Sequence, residues 1–222
     1  MTIKEAMENR HTVRRYTDRR IPSEKSDLLC SRILENNNKY DLNIKLVTEN
    51  TDAFSAVIKL VLAKGVRNYI VLAGKDAADT NEKLGYCGAD IMLYAQTLGL
   101  NTWWVGGMFN RKNVKKIAAV NHGDKIVSII AVGYGAVQGE PHKSKKASEI
   151  SYYNGDVPDW FTDGVNAVLL APTALNKQAF MIKGDDCKVS MTCDNGVFSS
   201  IDLGIGKYHF ESGAGKENFE WV

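Results

Sequence analysis

Three arginines, a histidine and a threonine fall within the six residues "RHTVRR": Arg10, His11, Thr12, Arg14 and Arg15. Guanidinium forks match phosphate oxygens in pairs, and a hydroxyl or backbone N–H can fill the acceptors that remain. A solvated charged turn would carry the same letters, and both readings stand on this stretch alone. Gly106 and Gly107 end the stretch "TWWVGG" (102–107). Paired glycines at a strand end let backbone N–H groups approach a flat ligand, or simply make a tight turn. Lys143, Lys145 and Lys146 in "KSKK" form a second cation cluster of phosphate size, or a basic surface linker. None of the three signals is specific by itself.

These groups need elements to hold them. Residues 2–9 are expected to form a short helix, and Pro22-Ser23-Glu24 opens a second one to about Glu35, with Ser23 as N-cap and the run Asn36-Asn37-Asn38 as its stop. "NIKLV" (43–47) and "NYIVLAG" (68–74) are β-branched and aliphatic, predicting strands that flank a helix at about 52–64. From Asp79 to Leu98 the spacing of Leu84, Ile91, Ala95 and Leu98 predicts a long core helix stopped at Gly99. A strand at 102–107, a helix at 110–119 and a buried strand at 125–135 follow. Residues 139–160 are polar, basic and turn-rich, which suits a surface connection. A smaller pattern comes after it: a helix at about 160–170, a turn at 171–178, strands near 179–183 and 187–193, and a helix over 200–210 with Ser200 and Asp202 as caps. The class is α+β.

Composition narrows the functions. The 222 residues carry a formal net charge of only +2, so the basic stretches are local, and a general nucleic-acid binder is disfavoured. Cys30, Cys87, Cys187 and Cys193 have no metal-type spacing and are read as reduced thiols, so no metal site is assigned. No apolar run reaches membrane-spanning length, and the expected location is cytoplasmic. Ser-His-Asp groupings are absent, as is a Gly-x-Gly-x-x-Gly turn after a strand, which argues against a Rossmann nicotinamide domain. Trp103 and Trp104 are adjacent on the strand, so one is expected to face the core and the other a helix or the ligand, with core packing the favoured reading. His209 is expected to be a packed or partly exposed helix residue, His122 a turn residue and Lys75 an exposed strand end.

Taken in order, the motifs resemble the FMN-dependent nitroreductase family. "ENRHTVRRYTDRRIP" (8–22) is similar to the family's opening, in which an Arg-x-Ser-x-Arg-like turn follows the first helix. "EKLGYCGADIMLYAQTLGLNTWWVGGMFNR" (82–111) resembles its long central helix and the strand behind the flavin ring. "GEPHKSKKASEI" (139–150) resembles its closing basic motif. "LAPTALNKQAF" (170–180) is similar to its Ala-Pro-Ser-x-x-Asn-x-Gln-Pro block, with Thr173 for the serine and Ala179 for the last proline. In ordinary members that block comes early. Here it follows the basic motif, an order that resembles the subgroup built as unequal tandem halves.

The resemblance implies a nitroreductase-like fold with a central mixed or antiparallel sheet covered by helices. It implies a larger unit over 1–150 and a smaller half-unit over 151–222 that carries the Pro-Thr-x-x-Asn-x-Gln block. The chain would be a monomeric pseudo-dimer or a homodimer. FMN would be the cofactor, with Arg10, His11 and Thr12 on its phosphate and Lys143 with Lys145 or Lys146 closing the same anion. Arg14 would sit by the N1 and O2 edge, Gly106 and Gly107 would bring N–H groups to N5, and Pro172, Thr173 and Asn176 would contact the ring. The activity implied is ping-pong hydride transfer from NADH or NADPH to a small-molecule acceptor such as a nitroaromatic or quinone. A flavin-binding sensor without turnover and a polyanion or nucleic-acid binder are the alternatives.

Overall fold

A computed structural model describes all 222 residues. They form two compact units: a first unit of Arg10–Thr80 with Ile91–Pro141, and a second of Met1–Asn9, Asn81–Asp90 and His142–Val222. The lysine segment, after Pro141, belongs to the second unit.

The first unit is built on an antiparallel sheet in the order β1-β2-β4-β3, from β1 (Lys45–Val47), β2 (Tyr69–Lys75), β3 (Asn101–Val105) and β4 (Asp124–Gly133). The two central strands are near-continuous apolar runs, as burial on both faces requires. Tyr69 through Ala73 and Ile129 through Ala131 are fully buried. On one face the core gathers Phe54, Tyr69, Val71, Trp103, Val105, Val114 and Ile129, with Ile58 and Leu62 packed against it. Two short helices, α3 (Ala56–Val61) and α5 (Arg111–Ile117), start at side-chain caps: Ser55 Oγ accepts from Ile58 N–H, and Asn110 Oδ1 accepts from Asn113 N–H.

Helix α2 (Ser23–Tyr40) corrects two expectations. Ser23 is its first helical residue after Pro22, not its cap, and the three asparagines do not stop it. Asn36 turns its amide back to Arg32 O at 3.0 Å, and Asn37 pairs with both the N–H and the C=O of Ile44, at 2.8 and 2.9 Å. With those partners the helix continues to Asp41, which ends it in the left-handed region at φ 53°.

The second unit has a mixed sheet in the order β5-β6-β7-β8, from β5 (Ser151–Asn154), β6 (Phe180–Asp185), β7 (Lys188–Cys193) and β8 (Glu220–Trp221). The α+β fold thus has two four-stranded sheets, one in each unit. Residues 139–160, expected to be a surface connection, contain the short helix α6 (Ala147–Ile150) and β5, which runs parallel to β6. Tyr153 of β5 anchors the strand against Phe161, with ring centroids 4.9 Å apart. Helices α7 (Asp159–Leu169) and α8 (Ser199–Ala214) bury Phe161, Val165, Val168 and Phe210 with Ile182 and Val189. Neither Ser200 nor Asp202 caps α8, which starts after Phe198.

Helix α4 (Thr80–Thr97) gives its residues 81–90 to the second unit, with α1 (Ile3–Asn9). There it meets α8 backbone to backbone. A Cβ on Gly204 would lie 2.0 Å from Glu82 O, and one on Gly85 2.1 Å from Ile201 O. Such contacts cannot relax by rotating a side chain. We expect Gly204→Ala to destabilise the protein by about 3 kcal/mol in urea unfolding, while Gly107→Ala, whose Cβ meets nothing within 4 Å, changes stability by less than about 1 kcal/mol. Equal stability of the two variants would contradict the close approach.

Candidate functional site

The arginine stretch is extended, not a turn. Its backbone is stitched to the first unit residue by residue: Val13 N–H to Thr102 O at 3.1 Å, Tyr16 N–H to Lys64 O at 2.9 Å, and Ala136 N–H to Arg15 O at 2.8 Å. Thr12 forms a parallel bridge with Thr102 on the outer edge of β3. Gly139 comes so close that a Cβ there would sit 2.5 Å from Thr12 O and 2.7 Å from His11 Cβ. Val13 and Tyr16 point into the core, at 2% and 7% exposure.

This threading separates the arginines. Arg14 and Arg15 are exposed. Arg10 is 4% exposed, and its Nε, buried from solvent, has no hydrogen-bond partner. Burial pulls its pKa down to about 10, opposed only by Tyr16. At neutral pH the group is therefore still a cation, and no carboxylate balances it. Tyr16 in turn is pushed well up by burial, with Arg10 and Arg14 acting in the opposite sense, and its hydroxyl donates to Ala131 O at 3.3 Å.

The Arg14 guanidinium carbon lies 5.6 Å from the centroid of Trp103, which stacks on Phe54 at 5.9 Å. Of the two tryptophans it is Trp103 that lies in the core, and Trp104 is half-buried on the opposite side of the strand. Past β3, Gly107 is exposed and leaves open space where a Cβ would be. The sequence reading missed what holds this turn. Arg111 donates to Gly106 O at 3.3 Å, to Val127 O at 3.4 Å and to Ile126 O, and its guanidinium lies over the Phe109 ring at 4.8 Å.

In the second unit the structure brings the lysine segment onto the 172–178 block. Asn176 Nδ2 donates to Lys143 O at 2.8 Å. Gln178, only 1% exposed, accepts from Lys145 N–H through Oε1 at 2.7 Å, and its backbone oxygen accepts from the Lys145 ammonium at 2.9 Å. Its own N–H donates to Thr173 Oγ1 at 3.0 Å. The Leu169 carbonyl, near the end of α7, collects Gln178 Nε2 at 2.8 Å, His142 Nε2 at 2.9 Å and Ser144 Oγ at 3.1 Å. Gln178 was not singled out in the sequence, although its place in the Pro-Thr-x-x-Asn-x-Gln block was the available signal.

Other candidates settle into structural positions. His209 is fully buried, with Nδ1 2.8 Å from Ile205 O. His122 is exposed in a turn, and Lys75 pairs with Asp41 at 2.6 Å. None of the four cysteines is in a disulfide. No helix is long and apolar enough to cross a membrane.

Asp202 accepts from Ala174 N–H with both oxygens, at 3.0 and 3.2 Å, holding the start of the 174–176 turn. Burial pushes its pKa up to about 6, with the charge of Asp194 adding to the rise and the Ala174 N–H and Lys177 opposing it. The fold therefore favours the protonated acid. That contribution is complete below the ordinary carboxylate range near pH 4 and is lost as pH rises through about 6. Asp202→Asn keeps an acceptor oxygen without the titration. We expect the variant to gain on the wild type by on the order of 2 kcal/mol between about pH 4 and pH 7, read from urea midpoints; parallel pH curves would contradict this.

Comparison with known proteins follows the same outline. A profile of the family described as "Putative TM nitroreductase" matches residues 2–214. A putative nitroreductase structure from Thermotoga maritima MSB8 is similar at TM-score 0.70 and 22% identity, covering 98% of this chain and 85% of that one. A putative NADH dehydrogenase/NAD(P)H nitroreductase from Parabacteroides distasonis ATCC 8503 is similar at TM-score 0.55 and 21% identity, over 69% of this chain and 98% of that one. A structure described as an oxidoreductase containing FMN gives TM-score 0.50 and 11% identity, over 62% and 79% of the two chains. At these identities the structures speak for the fold. No curated protein matches the chain.

Proposed function

Because the chain belongs to the putative TM nitroreductase family, we propose that it is an FMN-dependent oxidoreductase that takes hydride from NADH or NADPH and passes it to a small acceptor such as a nitroaromatic or a quinone. The observation that carries this reading is the buried, unbalanced guanidinium of Arg10. A protein rarely leaves such a group without a counter-charge, and a phosphate monoester supplies both the charge and acceptors for the fork. FMN fits that donor chemistry. His11 and Thr12 flank Arg10 on the same stitched segment and would hold further phosphate or ribityl oxygens.

When bound, FMN supplies reversible two-electron hydride chemistry. The chain's own residues position it and tune it. Arg14, exposed and resting against Trp103, is placed to keep positive charge beside the N1 and O2 edge, favouring the extra negative charge that edge takes on. The backbone at Gly106, whose carbonyl Arg111 holds, and at Gly107, which has open space where a Cβ would be, would offer N–H groups to N5.

The test is the visible spectrum of the protein reconstituted with FMN, followed anaerobically as NADH and then NADPH are added. Bound flavin that bleaches with either donor and recovers with an acceptor is the expected result; flavin that never binds would sink the reading. Arg14→Ala should retain FMN while lowering its midpoint potential, and an unchanged potential would remove Arg14 from the ring edge.

A further inference from the structure

One outer surface of the first unit carries exposed apolar side chains and positive charge together. Helix α3 packs on the core through Ile58 and Leu62, one turn apart. Val57, Leu60 and Val61, at i, i+3 and i+4, fall on the opposite side of the helix and are 69%, 81% and 63% exposed. A single exposed leucine needs no explanation, but three aliphatic side chains on one stripe do. Helix α5 packs on the same core cluster through Val114, and Lys112 and Lys116, two residues to either side of it, are exposed. The two helices are tied at their starts, where Asn110 N–H donates to Ala53 O at 2.7 Å. Because both cover the same face of the sheet, their outward sides share one surface. We infer that this surface docks on an anionic lipid bilayer, with Val57, Leu60 and Val61 entering the boundary of the acyl chains and Lys112 and Lys116 meeting the headgroups. The inference goes beyond the flavin reading and does not depend on it.

Charge and shape select this partner. Residues 51–64 and 106–118 hold six basic residues and one acid, Asp52, in a chain whose 28 basic and 26 acidic residues nearly balance. The one acid faces Lys59 at 3.9 Å. A second copy of the chain would bring two cationic faces together, and like charges across an interface are costly. Three side chains also fall far short of the roughly 800 Å² per partner that a stable protein interface buries. Side chains this exposed stand out from the surface and line no groove, so a peptide helix finds no pocket to fill. An aliphatic stripe offers no ring on which nucleic-acid bases could stack. A bilayer needs neither groove nor ring, because its interface yields around protruding apolar groups while anionic lipids attract the lysines beside them.

The experiment sediments the full chain with vesicles of phosphatidylcholine alone and of phosphatidylcholine with about one-third phosphatidylserine. Binding to the anionic vesicles that weakens as salt is raised, with little binding to the neutral ones, is the expected result. Each lysine near an anionic surface contributes a factor of about five, so Lys112→Gln and Lys116→Gln together should weaken the binding about twentyfold. Val57→Ser, Leu60→Ser and Val61→Ser together should weaken it by on the order of a hundredfold. Should the serine variant fail to fold, the lysine pair and the salt dependence of the wild type decide the matter by themselves. Absence of binding to either vesicle, equal binding to both, or serine and lysine variants that bind like the wild type would overturn the inference. So would a dimer that the serine changes abolish, which would make the occupant a second copy, or capture by polyglutamate without binding to vesicles, which would make it an acidic protein.

Discussion

A guanidinium removed from water with nothing of opposite charge beside it costs several kcal/mol, and arginine cannot escape by losing its proton near neutral pH. Arg10 is in that position. The first unit sustains it through backbone alone: the hydrogen bonds of Val13, Arg15 and Tyr16 fix the segment, and Gly139 closes over His11 and Thr12 where any side chain would collide. On that segment Val13 and Tyr16 enter the core and Arg10 is buried, while Arg14 and Arg15 stay exposed. The separation of a buried phosphate ligand from an exposed ring-edge cation in the proposed function depends on this threading.

The second unit resolves its own strain in a similar way. Its 172–178 block holds three non-glycine residues in left-handed backbone, among them Gln178, and offsets that cost with the bonds centred on the Gln178 amide and on the Asp202 carboxyl. Both anchors are local polar groups buried away from solvent. The same block that appears in the sequence as a cofactor motif is, in the fold, the floor under the lysine segment.

Much of this was legible in the sequence where the physics is periodic or local. The apolar runs of β2 and β4, the helical spacing in α4 and the glycine stop at Gly99 all follow from patterns of a few residues, and the motif order was enough to indicate the family. What escaped depended on partners distant in the chain. Asn36 and Asn37 read as a helix stop until Ile44 supplies a partner for Asn37. Tyr153 reads as part of a linker until β6 and Phe161 give it a strand to join and a ring to pack on. Asp202 reads as a cap until Ala174 takes both its oxygens. In the candidate site the letters "RHTVRR" give the cations but not which is buried, because the stretch is extended and its register is set by Thr102, Lys64 and Tyr134, far along the chain.

The central claim is that Arg10 is an unbalanced cation held for an anionic ligand, and the most direct measurement is the stability of Arg10→Met against wild type with and without FMN. Replacing a buried unpaired charge by an apolar side chain of similar length should leave the ligand-free protein at least as stable as wild type. Saturating FMN should then reverse the order: at a hundred times the dissociation constant it adds about 2.7 kcal/mol to the wild type, and most of that gain should vanish in the variant. An Arg10→Met protein that is destabilised without ligand, yet gains as much from FMN as the wild type does, would contradict the claim.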